Sequence, residues 1–374
     1  MPVIGFPRES GDRRTLLDPQ VAQKLVAAGF SPVAEPGIGT GIGLSDATLR
    51  EAGVAITPRE HVWSSPLILR YRGGSSAELA ALRPEQTLGA LLHAEGDPQL
   101  MDALVRSRAR AYAFEFIEDE HGRFPTGAPG GEIAGVQAVL HGARALQSPQ
   151  GSGVLLPAVT GAPRAHVLVI GSGHAGAAAA RTAAALGTTV TVLTTSRCAD
   201  AYRARAPEGV AVQVNTPETL LAELTRADLV LGTILVPTLD TPAMITTREL
   251  DLMRPGSVIV DVTCGYGSGY LPTAGPVQQP DDPPRIVRGI HHIKLDTLPA
   301  LVPRTASAAY ATHMGPYLLR LARHALQGEP DPGIEAALVA EHGRLEHPVC
   351  RRHAASWRST AEQTAATVER EGAA

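Results

Sequence analysis

A glycine-rich turn between a buried strand and an alanine-rich helix is the feature of this sequence that most constrains its fold. The segment HVLVIGSGHAGAAAARTAAALG (residues 166–187) places three glycines directly after an apolar strand. Glycines at this spacing let the chain turn tightly, approach a pyrophosphate and pack helix against strand, while the helix N-terminus offers free N–H groups to phosphates. The segment therefore predicts a dinucleotide-binding βαβ unit. The predicted cofactor contacts are Gly171, Ser172, Gly173, His174, Ala175 and Gly176.

The end of the following strand indicates which dinucleotide binds. NAD sites usually have an Asp or Glu there to accept a hydrogen bond from the ribose 2′-hydroxyl. This chain instead has Thr194, Thr195, Ser196 and Arg197. Without a carboxylate to repel a 2′-phosphate, and with hydroxyls and a guanidinium to bind it, the pocket is expected to prefer NADPH over NADH. If Arg197 points into solvent instead, either cofactor binds.

Short runs of β-branched and aliphatic residues alternate with helical patterns along most of the chain. The predicted strands of a first block are residues 3–6, 32–34, 66–71, 87–92 and 109–114. Those of a second block are residues 166–170, 189–193, 229–235, 257–262 and 286–293. In the first block, helices are predicted at 18–28, after Ser45 and from Asp97. This alternation predicts an α/β fold: two Rossmann-like domains with parallel sheets and an active-site cleft between them.

Two long helical patterns, residues 132–146 and 305–326, indicate where the chain crosses between the domains. The predicted substrate domain is therefore discontinuous, 1–135 plus 305–374. The dinucleotide-binding domain is predicted to be 136–304.

The end of the chain carries two further expectations. Gly315-Pro316 lies inside the second helical pattern, and the backbone donor that proline lacks is expected to break that helix. The tail, residues 328–374, is predicted to be helical and polar.

The composition excludes several classes of protein. With 44% hydrophobic and 19% charged residues, the chain is not of a disordered type, and it has no apolar run near the ~20 residues of a membrane span. A formal net charge of −4 offers no basic field for nucleic acid or membrane, so we expect small molecules as partners. Three widely spaced cysteines without a CxxC pair, and an N-terminus without a signal-peptide pattern, favour a cytoplasmic location. No metal site is predicted.

The chain also resembles a known family over about residues 3–325. The motifs GFPRESGDRRTLLDPQ, LILRYR, GALLHAEGDPQL, FEFIEDEHGR, EIAG, GSGHAG, ILVP and VIVDVTCG occur in the order and approximate spacing of the alanine dehydrogenase and pyridine nucleotide transhydrogenase superfamily. Within it, LDTLPALVPRTAS (residues 295–307) is most similar to the lysine-forming saccharopine dehydrogenases and the N5-(carboxyethyl)ornithine synthases. The resemblance implies a nicotinamide-dependent oxidoreductase that forms or cleaves an amine. It also implies cofactor contacts at Ile234, Leu235, Val262 and Thr263.

Three functional hypotheses follow from the resemblance. The favoured one is an NADPH-dependent opine- or saccharopine-type dehydrogenase, which joins the amine of an amino acid to a 2-oxo acid or runs the reverse reaction. The first alternative is reductive amination with ammonia, as in alanine dehydrogenase. The second is a dinucleotide-binding protein without turnover. The identity of the amine and of the oxo acid, and homo-oligomer formation, stay open.

The resemblance assigns three polar residues to the substrate site. Arg14 matches the arginine that binds the substrate carboxylate, a group that a planar guanidinium suits, although a solvated arginine is the alternative. His93 matches the catalytic histidine at a strand end, and an imidazole that titrates near neutral pH can move the protons of amine formation. Glu115 matches a family acid that either binds substrate and tunes His93 or is structural.

Two departures from the family pattern alter the expected chemistry. Arg72 stands where the family has a catalytic lysine, and arginine can hold a carboxylate or polarise a carbonyl but cannot release its proton. Gly265 stands where the family has an aspartate, so a charge that would balance the lysine is also missing. Lys294 could substitute, although an exposed lysine is the expected state. Asp296 is expected to receive the amine or to brace the loop beside the nicotinamide.

Overall fold

A computed structural model describes residues 1–93, 97–234, 242–263, 269–279, 281–295 and 298–354 of the chain. The chain forms two compact units. Unit 1 comprises Met1–Gly127 and Pro303–Ala374, and unit 2 comprises Ala128–Val302. Over the described residues, no helix is both long and apolar enough to cross a lipid bilayer.

Unit 1 is built on one mixed sheet. With strands numbered along the whole chain, it contains β1 (Val3–Phe6), β2 (Ser31–Ala34), β3 (Ala55–Ile56), β4 (Leu67–Arg72), β5 (Thr87–Leu91), β6 (Arg110–Ala113), β14 (Leu338–Glu341) and β15 (Arg344–Leu345). They lie in the order β15-β14-β6-β5-β4-β1-β2-β3. The strands from β6 to β3 are parallel, whereas β14 runs antiparallel to both β6 and β15. The helices are α1 (Pro19–Ala27), α2 (Asp46–Glu51), α3 (Arg59–Trp63), α4 (Ser76–Ala80), α5 (Pro98–Ser107), α11 (Pro303–Gln327) and α12 (Pro332–Glu335).

The helix starts of unit 1 follow the capping signals of the sequence. Asp18 and Asp97 each accept a hydrogen bond from a backbone N–H inside the first turn, and a proline opens both α1 and α5. Ser45 caps α2 in the same way. Such caps satisfy donors that a helix leaves unpaired, so the predicted starts of these three helices are confirmed.

The tail differs from the helical, polar segment predicted for residues 328–374. Strands β14 and β15 form a hairpin through His342 and Gly343, whose φ values are 50° and 81°. Val339 and Ala340 are fully buried in the sheet. Their burial explains the error, because β14 extends the sheet beside β6 and takes its stability from that packing. Residues 355–374 lie outside the described part of the chain.

Helix α11 continues through Pro316, where a break was predicted. A proline inside a helix costs about 3 kcal/mol or more. Tyr310, Met314, Leu318 and Leu321 lie three or four positions apart and are all fully buried. Because burying a large apolar side chain contributes about 1.5–3 kcal/mol, this face offsets the cost of the proline.

Unit 2 is a doubly wound sheet. Its strands are β7 (His166–Ile170), β8 (Thr189–Thr194), β9 (Ala211–Val214), β10 (Leu229–Gly232), β11 (Val258–Asp261), β12 (Arg285–Val287) and β13 (Ile290–Lys294). They lie in the order β12-β13-β11-β10-β7-β8-β9, and all pairs are parallel except β12 with β13. The helices are α6 (Ala128–Ala145), α7 (His174–Ala185), α8 (Ser196–Arg203), α9 (Pro217–Leu224) and α10 (Thr247–Leu250).

The single strand predicted over residues 286–293 is wrong, because the segment is a hairpin. Arg288 and Gly289 have φ values of 52° and 75°. Two consecutive residues with positive φ form the tight turn that matches the twist of antiparallel strands. Strand β12 therefore folds back on β13 at the edge of the sheet.

Side chains of the central strand β7 alternate between two apolar clusters, one on each face of the sheet. Val167 and Val169 pack in the cluster that includes residues of α6 and α7, and Leu168 and Ile170 pack in the cluster that includes residues of α9. Because helices cover both faces, the carboxyl edge of the strands is where a ligand can bind. The predicted α/β fold with two Rossmann-like units is confirmed, with mostly parallel rather than wholly parallel sheets.

Candidate functional site

The glycine-rich turn of unit 2 has the conformation that a phosphate cradle requires. Gly171 follows β7 with φ of 113°, a region that disfavours residues with a side chain. Gly173 is the N-cap of α7, and a Cβ built on it would have no atom within 4 Å. The turn therefore leaves open space beside the N-terminus of an α-helix, where N–H groups and the helix dipole favour an anion.

Gly176 serves packing rather than ligand approach. A Cβ at this position would lie 2.8 Å from Thr233 Oγ1 and closer still to the Gly171 carbonyl oxygen. The Thr233 hydroxyl donates to the Ile170 carbonyl oxygen at 2.9 Å and approaches that of Gly171 at 3.3 Å. This contact joins α7, the end of β7 and the end of β10, so even a methyl group would separate them.

The second strand ends in hydroxyls instead of a carboxylate. Thr194 is buried, and its Oγ1 lies 2.6 Å from Ser172 Oγ in the glycine-rich turn. Thr195 is the N-cap residue of α8 but makes no capping hydrogen bond with its side chain, and Thr195, Ser196 and Arg197 are all exposed. His174 is also exposed and Ala175 is partly buried. Exposed hydroxyls, a guanidinium and the first turn of α8 therefore lie together after β8, and they provide groups that can bind phosphate.

A tyrosine that sequence reasoning missed links the ends of β10 and β11. The Ile234 N–H donates to Tyr270 Oη at 3.1 Å. Tyr270 Oη lies 2.9 Å from Thr263 Oγ1, which in turn donates to the Ile234 carbonyl oxygen at 3.2 Å. The three residues form a closed ring of hydrogen bonds that fixes Ile234 and Thr263, two of the predicted cofactor contacts. Val262 follows Asp261 at the same strand end.

Lys294 is buried, which corrects the expectation of an exposed side chain. It lies directly across from Asp261 at the carboxyl ends of β13 and β11, with Nζ 3.2 Å from Asp261 Oδ2. The side chains are 5% and 3% exposed. An opposite charge makes burial of a lysine tolerable, and nothing in the spacing of the sequence reveals that partner.

In unit 1, four predicted site residues lie at or just after the carboxyl ends of adjacent parallel strands. Arg14 lies in the segment after β1, Arg72 ends β4, His93 follows β5 and Glu115 follows β6. These strands are neighbours in the sheet. Because the carboxyl ends of parallel strands meet at one edge, the arrangement collects two guanidiniums, an imidazole and a carboxyl group there.

Arg14 is only 5% exposed, so it is not the solvated arginine of the alternative interpretation. Its Nε and Nη2 bind both carboxylate oxygens of Asp12, at distances of 2.5–3.1 Å. Its guanidinium carbon lies 4.2 Å from the ring centroid of Tyr71, and that ring packs against Tyr310 at 4.7 Å. Two contacts therefore fix the guanidinium: a carboxylate at its edge and an aromatic face beneath it.

Arg72 is partly buried, and within the described residues its side chain makes no hydrogen bond or ion pair. Its backbone is held firmly, because the Glu9 carboxylate accepts from the N–H of Tyr71 at 2.7 Å and of Arg72 at 3.3 Å. Glu9 is in turn paired with the fully buried Arg70. The arginine inside the apolar run LILR is the sequence signal for this missed pair, because a buried guanidinium needs an acidic partner.

His93 occupies a strained backbone conformation beside Glu115. Its φ is 45°, and its N–H donates to Glu115 Oε1 at 2.5 Å, while the Leu92 N–H donates to Oε2 at 3.2 Å. Burial raises the pKa of Glu115 to about 7, although these backbone donors oppose the shift. Glu115 therefore holds the turn that carries His93, a role that the sequence left undecided.

Three predicted positions, Leu235, Gly265 and Asp296, lie outside the described residues. Cys198 is half-buried and Cys350 is buried, whereas Cys264 is likewise outside the described part. No cluster of three metal-ligating side chains occurs among the described residues.

The fold and the glycine cradle of unit 2 define a dinucleotide-binding protein of the Rossmann class. Models of the N-terminal and C-terminal domains of the alanine dehydrogenase/PNT family match residues 5–134 and 138–348. The chain belongs to the alanine dehydrogenase and pyridine nucleotide transhydrogenase family, which confirms the superfamily predicted from the motifs. The prediction of an NAD(P)-dependent oxidoreductase is confirmed with it.

Similar proteins match over most of their length. The chain is 33% identical over 356 residues to a protein of Halomonas elongata named alanine dehydrogenase, covering 92% of this chain and 94% of the relative. It is 30% identical over 328 residues to alanine dehydrogenase 2 of Staphylococcus aureus, with coverages of 85% and 87%. A solved L-alanine dehydrogenase superposes with a TM-score of 0.85 at 29% identity, covering 94% of this chain and 98% of that one. A transhydrogenase from Sinorhizobium meliloti, at 22% identity and a TM-score of 0.75, covers 92% and 99% and shares the fold.

Proposed function

We propose that the protein catalyses the NAD(P)-linked reductive amination of a small 2-oxo acid with ammonia, and the reverse deamination. The observation that carries this proposal is similarity over nearly the whole chain to proteins named alanine dehydrogenase. These names favour ammonia as the amine over the amino acid of the opine-type or saccharopine-type hypothesis.

The residues at the sheet edge of unit 1 suit this chemistry. Arg14 and Arg72 offer guanidinium groups for the carboxylate and carbonyl of the oxo acid. Addition of ammonia to the carbonyl gives a carbinolamine. His93 can protonate its hydroxyl, which leaves as water, and in the reverse reaction it can take a proton from the amine. Glu115 fixes the backbone of His93 through two N–H groups. When bound, the reduced nicotinamide supplies the hydride.

A direct assay decides between the candidate amines. Oxidation of NADPH and of NADH is followed with pyruvate plus ammonia, and in parallel with pyruvate plus a panel of amino acids and diamines. We expect turnover that depends on ammonia and falls at least 100-fold in His93→Ala, in line with the loss of acid–base catalysis. Turnover only with an amino acid would support the opine-type reaction instead. Tight cofactor binding without turnover of any pair would support the binding-only alternative.

We also propose a preference for NADPH over NADH. The supporting observations are the absence of a carboxylate at Thr194, whose hydroxyl is engaged by Ser172, and the exposed Arg197 in the first turn of α8. Arg197→Ala is expected to weaken NADPH binding about tenfold and to leave NADH binding unchanged, because only the 2′-phosphate loses a partner.

Fluorescence titration of both cofactors tests this preference. Arg203→Ala, at the opposite end of the same helix, is the control for loss of charge. Thr194→Asp is expected to reverse the preference, since the new carboxylate repels the phosphate and accepts from a 2′-hydroxyl. Equal affinities of the unaltered protein for the two cofactors would contradict the proposal. A cytoplasmic location, a homo-oligomer and small-molecule partners stay predictions of the sequence.

A further inference from the structure

The buried ion pair of Lys294 and Asp261 lies at the carboxyl edge of the sheet in unit 2. The two residues end the parallel strands β13 and β11 and are directly opposite each other in the register of the sheet. Lys294 Nζ is 3.2 Å from Asp261 Oδ2, and the side chains are only 5% and 3% exposed. Water therefore screens these charges weakly, so each of them acts more strongly on its surroundings than a surface charge does.

The strand order of unit 2 assigns this pair to one half of the dinucleotide site. The order β9-β8-β7-β10-β11-β13 is that of a doubly wound sheet in which each half binds one mononucleotide. The glycine-rich turn and Thr194 belong to the half formed by β7, β8 and β9, which binds the adenosine. Strands β10, β11 and β13 form the other half, so Asp261 and Lys294 lie on the side that binds the nicotinamide.

Asp261 has a structural role of its own at this strand end. Its Oδ1 accepts from the Thr263 N–H at 3.0 Å, while its Oδ2 faces Lys294. Thr263 Oγ1 lies 2.9 Å from Tyr270 Oη, which accepts from the Ile234 N–H at 3.1 Å. Polar contacts thus connect the ends of β13, β11 and β10. The carboxylate of Asp261 fixes the turn after β11, but it also brings a negative charge to the nicotinamide half.

A negative charge in this half favours one redox form of the cofactor. A hydride carries a proton and two electrons, so the oxidised nicotinamide ring is a cation and the reduced ring is neutral. An unpaired carboxylate therefore attracts the oxidised form, whereas an unpaired ammonium group repels it. In the ion pair, each charge offsets the other.

We propose that Lys294 neutralises Asp261 so that the nicotinamide half of the site does not retain the oxidised cofactor. Asp261 then keeps its hydrogen bond to Thr263 without favouring the cationic ring. Lys294 acts through Asp261 and is a positioning residue. The inference goes beyond the proposed function, because it depends on nicotinamide binding but not on which amine or oxo acid reacts.

The test measures the dissociation constants of the oxidised and the reduced cofactor by calorimetric titration of the full-length protein. In Lys294→Met, the ratio of the constant for the oxidised form to that for the reduced form should fall about tenfold, because the carboxylate remains without its partner. Asp261→Asn leaves the ammonium group and should raise this ratio by a similar factor. The double variant removes both charges and should return to the original ratio.

The pH of each titration keeps the remaining charge in place. Burial favours the neutral form of an unpaired group, so Lys294→Met is measured at about pH 9 and Asp261→Asn at about pH 6. The unaltered protein is measured at both values. Charges elsewhere in the protein are the same in every variant, so they cancel in the comparison.

Matched controls separate the effect of charge from damage to the site. Lys294→Arg retains the charge, and Lys24→Met removes an equal charge from an exposed position in α1 of unit 1. Both should keep the original ratio. ADP-ribose, with a 2′-phosphate if the protein prefers NADPH, lacks the nicotinamide ring, so its affinity should be the same in every variant.

Two outcomes would overturn the inference. One is an unchanged ratio in both Lys294→Met and Asp261→Asn, with ADP-ribose weakened in parallel, which indicates that the pair only supports the fold. The other is a shift of the ratio in the same direction in both variants. Thermal unfolding shows whether each variant is folded, and Lys294→Gln replaces Lys294→Met if the latter is not. The titrations contain no oxo acid or amine, so failure of the proposed reaction does not affect their result.

Discussion

The glycines of the cofactor turn in unit 2 allow one prediction that separates packing from ligand approach. Gly173 has φ of −70°, which any residue adopts, and a Cβ there meets nothing within 4 Å. Gly173→Ala should therefore change the stability of the cofactor-free protein by less than about 0.5 kcal/mol. The second glycine of such a turn lets the backbone approach the pyrophosphate, so a methyl group there should obstruct the cofactor. We expect the dissociation constant for the cofactor to rise at least tenfold.

Gly176→Ala is the matched variant, because it adds the same methyl group three positions later. Its Cβ would lie 2.8 Å from Thr233 Oγ1 and too close to the Gly171 carbonyl group, so α7 must shift. Overpacking of this kind costs about 1–3 kcal/mol. For a unit of the length of Ala128–Val302, that corresponds to a fall in Tm of about 2–12 °C without cofactor.

Differential scanning calorimetry without cofactor, followed by fluorescence titration with NADPH, measures the two effects separately. Gly173→Ala should keep the original Tm and bind the cofactor more weakly. Gly176→Ala should have a lower Tm even without cofactor. The reasoning is refuted if Gly173→Ala binds cofactor as the unaltered protein does. It is equally refuted if Gly176→Ala melts at the original temperature.

Three further predictions concern charges and hydroxyls away from the glycine turn. Lys294→Met should lower the free energy of unfolding in urea by about 3–5 kcal/mol, because it leaves the buried Asp261 without its partner. Adding Asp261→Asn should recover part of that loss. Equal stability of the single and double variants would contradict this prediction. Burial raises the pKa of Glu78, but its N-cap and arginine hydrogen bonds outweigh this and lower the pKa to about 2. Its stabilisation is present above about pH 4.5 and lost as the pH falls towards 2, so Glu78→Gln should flatten that part of a Tm-against-pH curve. Tyr270→Phe leaves the partly buried N–H of Ile234 without its acceptor. The change should cost about 1–3 kcal/mol of stability and weaken cofactor binding, which calorimetry and cofactor titration would measure. An unchanged cofactor affinity would separate Tyr270 from the site.

The sequence predicts elements whose stability is local. The caps at Asp18, Ser45 and Asp97 lie within three residues of the N–H groups they satisfy, so the helix starts are visible in the chain itself. The same holds for the glycine turn after β7. Both missed hairpins turn on a residue followed by glycine, Arg288-Gly289 and His342-Gly343. An Asn or Asp before the glycine is the usual signal for such a turn, and neither pair has it.

The candidate site depends on pairs that are distant in the sequence. Glu9, in the segment after β1, meets Arg70 of β4 because β1 and β4 are neighbours in the sheet, and Lys294 of β13 meets Asp261 of the neighbouring β11. Lys294 is the instructive error, since composition alone expects a lysine to be exposed. Strand order supplies the missing information, and single-sequence patterns do not contain it.

The antiparallel strand β14 has a consequence for synthesis of the chain. Unit 2 is one continuous segment, so all of its strands have been synthesised once residue 302 has been added. The sheet of unit 1 has by then an unpaired edge at β6, which stays open until residues 338–345 emerge. A nascent chain halted before Leu338 thus has a complete unit 2, while the sheet of unit 1 still has an exposed edge strand that can pair with other chains. This intermediate is the one that a chaperone would have to shield.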